Sequence, residues 1–394
     1  MTHRRAEKVS TYVAALDALK SDERLRSLKP RLGIDFSSND YLALATAPRM
    51  RKALTAALEA GTPIGAGGSR LLRGNCAEHE NLETEAAIYF GAESAIFFAS
   101  GYLANFAVLT TLPRRGDLLI LDSLVHASIH EGVRAGRAEF RFSQHNNPES
   151  FEAAIREWRS QGGKGRVWIV VESLYSMDGD FAPLAELVAI ADRHDAFIMV
   201  DEAHATGVYG EAGRGLTAPY EGRENLVVVH TCGKALGAAG ALVATTKILR
   251  DFIVNRCRPF IFSTAPSPLM AVAVQEALAI LREEPARRER LKNLIAFTHR
   301  RIGGHPGWRP SGSQILPFIL GDNARAMQLA SALQARGFDI RGIRPPTVPA
   351  ETARLRISLT NNVGENDVRA MLDALREETD GVDLTFATHL AASS

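Results

Sequence analysis

Short runs of wholly apolar, β-branched-rich residues recur along the chain, each stopping at polar or glycine-rich sequence. Phe197-Ile198-Met199-Val200 stops at Asp201-Glu202-Ala203-His204, and Leu226-Val227-Val228-Val229 stops at His230-Thr231-Cys232-Gly233-Lys234. Residues 95–98, 118–122, 167–171 and 240–244 have the same character. Runs that are apolar at every position suit strands buried on both faces of a parallel sheet. Between them, the spacing of apolar residues predicts helices at 48–60, 78–90 (ending at Gly91), 149–160 and 183–194. Such alternation of strand and helix predicts an α/β fold, a mostly parallel sheet with helices on both faces.

The two ends of the chain read differently. Val9, Val13, Leu16, Leu19 and Leu25 recur among charges over 7–28, an amphipathic helix pattern closed by Pro30 and Gly33. A single long helical pattern at 269–302 bridges to a second unit, read as strand 314–319, helix 324–336, strands 338–341 and 354–359, and helix 364–378. The expected organisation is an N-terminal helix and lid segment over 1–45, a large domain over 46–275 and a small domain over 276–394. No internal repeat or low-complexity segment interrupts it.

Composition narrows the function. The chain has 394 residues, 46% hydrophobic and 23% charged, enough for a large core. A formal net charge of +1 leaves no basic excess for nucleic acid. Cys76, Cys232 and Cys257 are scattered and odd in number, which reads as reduced thiols and not a disulfide framework or a zinc site. No apolar run approaches the roughly 20 residues that span a bilayer, and no h-region follows the basic N-terminus. A cytoplasmic globular protein is expected, without metal.

Candidate chemistry sits at the strand ends, where ligands bind in open α/β sheets. There the chain delivers a carboxylate, an imidazole and an amine: Asp201, His204 and Lys234. A confined lysine can form a Schiff base with a carbonyl, and pyridoxal 5′-phosphate (PLP) needs that lysine plus an acid for its ring nitrogen. Strand 95–98 runs into Ser100-Gly101-Tyr102, a geometry that aims backbone N–H groups at a phosphate. The loop from Gly61 to Arg70 is dense in Gly and Ser and also suits close approach to an anion. Other motifs fail on context. Asp201-Glu202-Ala203-His204 spells a helicase box, but no G-x-x-x-x-G-K-[ST] loop accompanies it. Thr231-x-x-Lys234 lacks the partner motifs of β-lactamases, and His126 with His130 lacks H-E-x-x-H.

With these residues in place, the chain resembles the aminotransferase-like, fold type I PLP enzymes, and within them the α-oxoamine synthases. The resemblance runs from Phe36-Ser37-Ser38-Asn39-Asp40-Tyr41-Leu42 to Leu355-Arg356-Ile357-Ser358-Leu359-Thr360. It passes through Gly67-Gly68-Ser69-Arg70, Ser100-Gly101-Tyr102-x-x-Asn105, His126-Ala127-Ser128, Ser176-Met177-Asp178-Gly179-Asp180 and Thr231-x-x-Lys234. It implies a large domain with a mostly parallel seven-stranded sheet and a smaller α+β C-terminal domain. By position, Lys234 would hold PLP and move a substrate proton, Asp201 would face the ring nitrogen, and His126 would stack on the ring. His204 and Ser176 would reach its phenolic oxygen. Gly101, Tyr102 and Thr231 would hold the phosphate, with Thr264 reaching the partner subunit's. Arg356 would grip the substrate carboxylate, and Arg26, Asn39, Ser69 and Thr347 would make further substrate contacts.

The implied reaction is decarboxylative condensation of an amino acid with an acyl thioester. Ser69 stands where glycine-using relatives tend to carry threonine, which makes room for a methyl group and favours L-alanine. The resemblance implies pimeloyl, on CoA or a carrier protein, as the acyl group, and a homodimer with the site at the interface. A sister synthase using glycine or serine, an aminotransferase and a catalytically silent scaffold subunit are the alternatives. Products separate the first two, and a silent subunit should lack the lysine.

Overall fold

The computed structural model describes residues 2–303, 307–309 and 311–380. Seven strands form its main sheet: β1 (Ser94–Phe98), β2 (Leu118–Asp122), β3 (Glu139–Ser143), β4 (Val167–Glu172), β5 (Phe197–Asp201), β6 (Leu226–Thr231) and β7 (Ala241–Thr245). Their spatial order is β1-β7-β6-β5-β4-β2-β3, with β7 antiparallel to both neighbours and the other adjacent pairs parallel. The seven-stranded, mostly parallel sheet implied by the family resemblance is therefore present.

The all-apolar runs explain how the sheet is covered. Side chains alternate across a strand, so Ile198 and Val200 of β5 enter one core while Met199 enters the other. Ile169 and Val171 of β4 likewise oppose Trp168 and Val170. Helices Gly101–Thr111 and Ala127–Ala135 supply the second core, and Ala77–Tyr89, Pro148–Ser160, Leu184–Arg193 and Pro268–Glu283 the first. Burying both faces leaves only the strand ends for polar chemistry.

Strand β3, Glu-Phe-Arg-Phe-Ser, is not marked by the apolar-run criterion because it is an edge strand with charged outward positions. Helices Ala127–Ala135 and Lys247–Arg256 were also missed; both are short and interrupted by polar residues. The single helix expected over 269–302 is two helices, Pro268–Glu283 and Ala286–Ile302. Pro285 separates them because it has no N–H to continue the ladder.

A second sheet is antiparallel: β8 (Ile315–Gly321), β9 (Arg341–Ile343) and β10 (Ala353–Ser358), in the order β9-β10-β8. Leu316, Phe318, Leu355 and Ile357 join the first core. The strand expected at 338–341 divides: Phe338–Asp339 pairs in parallel with Ile34–Asp35, and β9 pairs with β10. The N-terminal segment is thus stitched, in a two-stranded sheet of its own, to the segment that leads into β9. Its helix, Thr2–Ser21, stops earlier than the amphipathic pattern suggested. Glu23 takes a left-handed φ of 53°, and Asn323 Nδ2 donates to Asp22 O at 3.1 Å, drawing the next residues away from a helical path. Of the expected second unit, residues 381–394 lie outside the described residues.

Candidate active site

Four carboxyl ends of strands converge: Asp122 on β2, Glu172 on β4, Asp201 on β5 and Thr231 on β6. Asp201, almost wholly buried, is held by two neutral donors. Ala203 N donates to Oδ1 at 2.8 Å and Asn105 Nδ2 to Oδ2 at 2.6 Å. The other proton of the Asn105 amide goes to Ser128 Oγ at 2.9 Å, and Ser128 Oγ lies 2.8 Å from His126 Nδ1. Because Ser128 N also donates to that nitrogen, Nδ1 is the unprotonated one and Nε2 carries the hydrogen. A neutral network therefore sets both the Asp201 carboxylate and the His126 ring, which lies edge to face against Tyr102 at 6.5 Å.

A second chain of contacts starts at Lys234. Its Nζ lies 2.8 Å from His204 Nε2, and His204 Nδ1 lies 2.6 Å from the Tyr41 hydroxyl. Tyr41 donates to Asn39 Oδ1 at 3.0 Å and accepts from Arg356 Nη2 at 3.4 Å. Arg356 is fixed further by donating from Nε to Ser176 O at 2.6 Å and from Nη1 to Ser358 Oγ at 2.7 Å. Burial pushes the Lys234 amine down to about 8, against the upward pull of Asp201 and Glu172. Burial, with Lys234 and Arg356 adding to it, pushes His204 well below the usual histidine range, so its ring is neutral. The neutral ring accepts from Lys234 at one nitrogen and donates to Tyr41 from the other.

Ser100 caps the helix Gly101–Thr111 by accepting from Leu103 N at 3.2 Å. The first turn of a helix leaves N–H groups unsatisfied, and these together with the axial dipole favour an anion. Thr231 Oγ1 presses on that turn so closely that a Cβ at Gly101 would lie 2.2 Å from it. This cradle admits only glycine and offers a hydroxyl beside backbone donors.

These observations suit PLP: a depressed amine, a buried carboxylate at the end of the neighbouring strand, and a helix N-terminus with a hydroxyl. Asn105 Oδ1 and Glu172 Oε1 are buried here without a protein partner. Among the described residues, no group of three or more His, Cys, Asp or Glu is placed to hold a metal ion.

The structure brings together Lys234, His204, Asn39, Ser176 and Arg356, and separately Asp201 with His126 and Gly101 with Thr231. Arg26 and Thr347 form another, exposed pair, with Arg26 Nη2 donating to Thr347 Oγ1 at 3.0 Å. Among the described residues, neither Ser69 nor Thr264 has a side-chain hydrogen bond to any of these groups. Thr264 is exposed, and Ser69 serves its loop through its carbonyl, accepting from Leu72 N and Gly74 N. The anion reading of Gly61 to Arg70 needs correction at Arg70. Its guanidinium is buried in a two-point pair with Glu83, at 2.7 and 3.0 Å, and is bound to structure. Tyr41 and Ser128 have no role in the sequence reading beyond their place in its motifs, yet they join the catalytic candidates into networks. Their signal was adjacency to Asn39 and His126.

The sequence profile of the aminotransferase class I and II family matches residues 32–375. The chain is 40% identical over 363 residues to 8-amino-7-oxononanoate synthase of Chromobacterium violaceum, covering 92% of this chain and 93% of that one. It is 36% identical to the enzyme of the same name from Acidithiobacillus ferrooxidans, covering 94% and 99%. Among solved structures, serine palmitoyltransferase from S. paucimobilis, with PLP and myriocin bound, superposes with a TM-score of 0.85 at 28% identity, covering 96% and 98%. An 8-amino-7-oxononanoate synthase from Francisella tularensis gives 0.74 at 27% identity, covering 88% and 98%.

Proposed function

The chain belongs to the aminotransferase class I and II family, and from that premise we propose its reaction and the residues that carry it. It is an α-oxoamine synthase with PLP as cofactor. It condenses L-alanine with a pimeloyl thioester, releasing CO2 and the thiol carrier and forming 8-amino-7-oxononanoate for biotin synthesis, as the names of its relatives indicate. The observation that best supports the site is the continuous contact from Lys234 through His204 and Tyr41 to Arg356. It sets the amine and the carboxylate-binding guanidinium on one frame.

Bound PLP supplies an electron sink for the pair left on the substrate Cα. Lys234 would anchor it and move the Cα proton, and the burial that lowers its amine to about 8 suits both roles. Asp201, held by two neutral donors, would face the ring nitrogen, and His126 would lie against the ring. His204 and Ser176 would lie at the phenolic oxygen; the backbone of Gly101 and Tyr102, with Thr231, would take the phosphate. Arg356 holds the substrate carboxylate, and its orientation selects which Cα bond is broken. Asn39, Ser69, Arg26 and Thr347 complete the substrate contacts.

We read residues 1–45, 46–275 and 276–394 as segment, large domain and small domain, and the molecule as a cytoplasmic homodimer in which Thr264 reaches the partner's phosphate. What supports the dimer is a run of exposed apolar groups beside Thr264. Ile64, Leu72 and Phe262 are 71%, 84% and 70% exposed, on two loops joined by Ala265 N donating to Gly68 O. No helix among the described residues is long and apolar enough to cross a membrane.

The test is addition of L-alanine, glycine or L-serine, then pimeloyl-CoA, a pimeloyl-carrier protein, a short acyl-CoA or an oxo acid, to the PLP-loaded protein. Expected are an absorbance change with alanine and stoichiometric release of CO2 and free thiol with the thioester. Thiol release with glycine and a short acyl-CoA only would replace this reading by a sister activity. Amino transfer to an oxo acid without CO2 would indicate an aminotransferase.

A further inference from the structure

Outside the groups already given roles, one partly buried ionic cluster touches the machinery from behind. His145 lies just after β3 and bridges two carboxylates, with Nδ1 2.8 Å from Asp122 Oδ1 and Nε2 2.7 Å from Asp180 Oδ2. Both nitrogens facing carboxylate oxygens requires a hydrogen on each, so the ring is an imidazolium. Burial opposes that charge, but the two carboxylates outweigh it and raise the ring to about 10. Asn146 repeats the bridge. Its N–H donates to Asp122 Oδ2 at 2.8 Å and its Nδ2 to Asp180 Oδ2 at 3.1 Å. Asp122 is fully buried at the end of β2 and also accepts from Leu124 N, so this end of the clasp is rigid. The Tyr175 ring packs edge to face on His145 at 4.4 Å.

The other end of the clasp is a loop that braces the carboxylate-binding arginine of β10. Asp180 O accepts from Tyr175 N at 3.0 Å, and Tyr175 O accepts from Gly179 N at 3.0 Å, which closes residues 175–180 into a tight turn. The tip of that turn meets the second sheet. Ser176 O accepts from Arg356 Nε, Met177 O from Arg354 Nη1 at 3.4 Å, and Asp178 Oδ1 from Arg354 Nη1 at 2.7 Å. A guanidinium is planar, so one carbonyl at Nε and one hydroxyl at Nη1 fix where its remaining face points. Displacing Ser176 O therefore rotates the group that meets the substrate carboxylate.

We propose that His145 is a positioning residue for amino-acid recognition: clamped between Asp122 and Asp180, it holds the 175–180 turn so that Ser176 O orients Arg356. This rests on the role given to Arg356 above. The groups facing His145 are Asp122 from β2, Asp180 and Tyr175 from the turn, and Asn146 beside it. At its tip the same turn is also held by Arg354 and Arg309, which pair with Asp178 Oδ1 at 2.7 and 3.1 Å.

The experiment compares the PLP-loaded wild type with His145→Phe, His145→Gln and Asp180→Asn. Dissociation constants are read from the visible absorbance for L-alanine and for ethylamine, the same molecule without its carboxylate. In His145→Phe, alanine binding weakens by about tenfold, on the scale of one charge-assisted contact. Ethylamine binding and PLP retention change less than twofold. His145→Gln, which keeps a donor, recovers part of the loss, and Asp180→Asn shifts in the same direction if the phenylalanine variant does not fold. Equal weakening of both amines, or of neither, overturns the proposal. If the wild type prefers glycine, methylamine replaces ethylamine and the comparison stands while the alanine reading fails. A wild type that binds no amino acid defeats both.

Discussion

Burial and charge compete at the Lys234 amine, and burial prevails, leaving it near 8. At pH 7 a lysine at about 8 has roughly 230 times more neutral amine than one at the usual 10.4. The rate at which apo-protein captures PLP should therefore rise with pH and level off just above pH 8, not above pH 10. The sign for stability follows from the same shift. Between about 8 and the unfolded value near 10.4 the unfolded chain holds the extra proton, so the apo-protein gains stability as pH rises through that window. Chemical denaturation at pH 7.5 and 9.5 measures it, and Lys234→Met should flatten the difference. Tyr41→Phe keeps the ring but removes the hydroxyl that joins His204 to Arg356. It should lower kcat/KM by about tenfold or more while PLP stays bound. Lys234, His204 and Asp201 were legible in the sequence because each follows an apolar run. Tyr41 and His145 were not, because their partners lie 163 residues away in one case, and on two other strand-end segments in the other.

At the level of elements, the helix that begins at Gly101 depends on a contact from β6. Gly101→Ala places a methyl group 2.2 Å from Thr231 Oγ1, so either the helix or the threonine must move. The expected result is a tenfold or greater loss of PLP affinity with a near-native unfolding curve, measured by fluorescence titration and urea. The loop before the helix Ala77–Tyr89 has a different anchor, the buried Arg70–Glu83 pair, which also accepts from Phe97 N through Glu83 Oε1. Arg70→Ala strands a buried carboxylate and should cost about 3–5 kcal/mol, read from the denaturant midpoint. Elements with one dominant period were readable: the apolar strands and most amphipathic helices. β3 was not, since an edge strand needs no continuous apolar run, and the break at Pro285 was passed over because the apolar period continues across it.

For the whole molecule, the exposed groups Ile64, Leu72 and Phe262 beside Thr264 predict that activity is lost on dilution, with dimer dissociation seen by light scattering. Phe262→Asp should favour the monomer and weaken PLP binding, whereas Phe142→Asp, at an exposed position on the edge strand, should do neither. Chain order alone determined the alternation of strand and helix, the burial of both sheet faces, and the delivery of Asp201, His204 and Lys234 to strand ends. Those follow from local periodicity, because a strand apolar on both sides has no polar place left except its ends. Only the tertiary structure decided that β7 runs against its neighbours, that Ile34–Asp35 is stitched to Phe338–Asp339, and that Arg70 serves Glu83. It also decided that Arg26 meets Thr347 and that His145 stands behind Arg356 through Ser176. Such pairings join residues far apart in sequence. They are set by how packed layers meet in space, which no window along the chain contains.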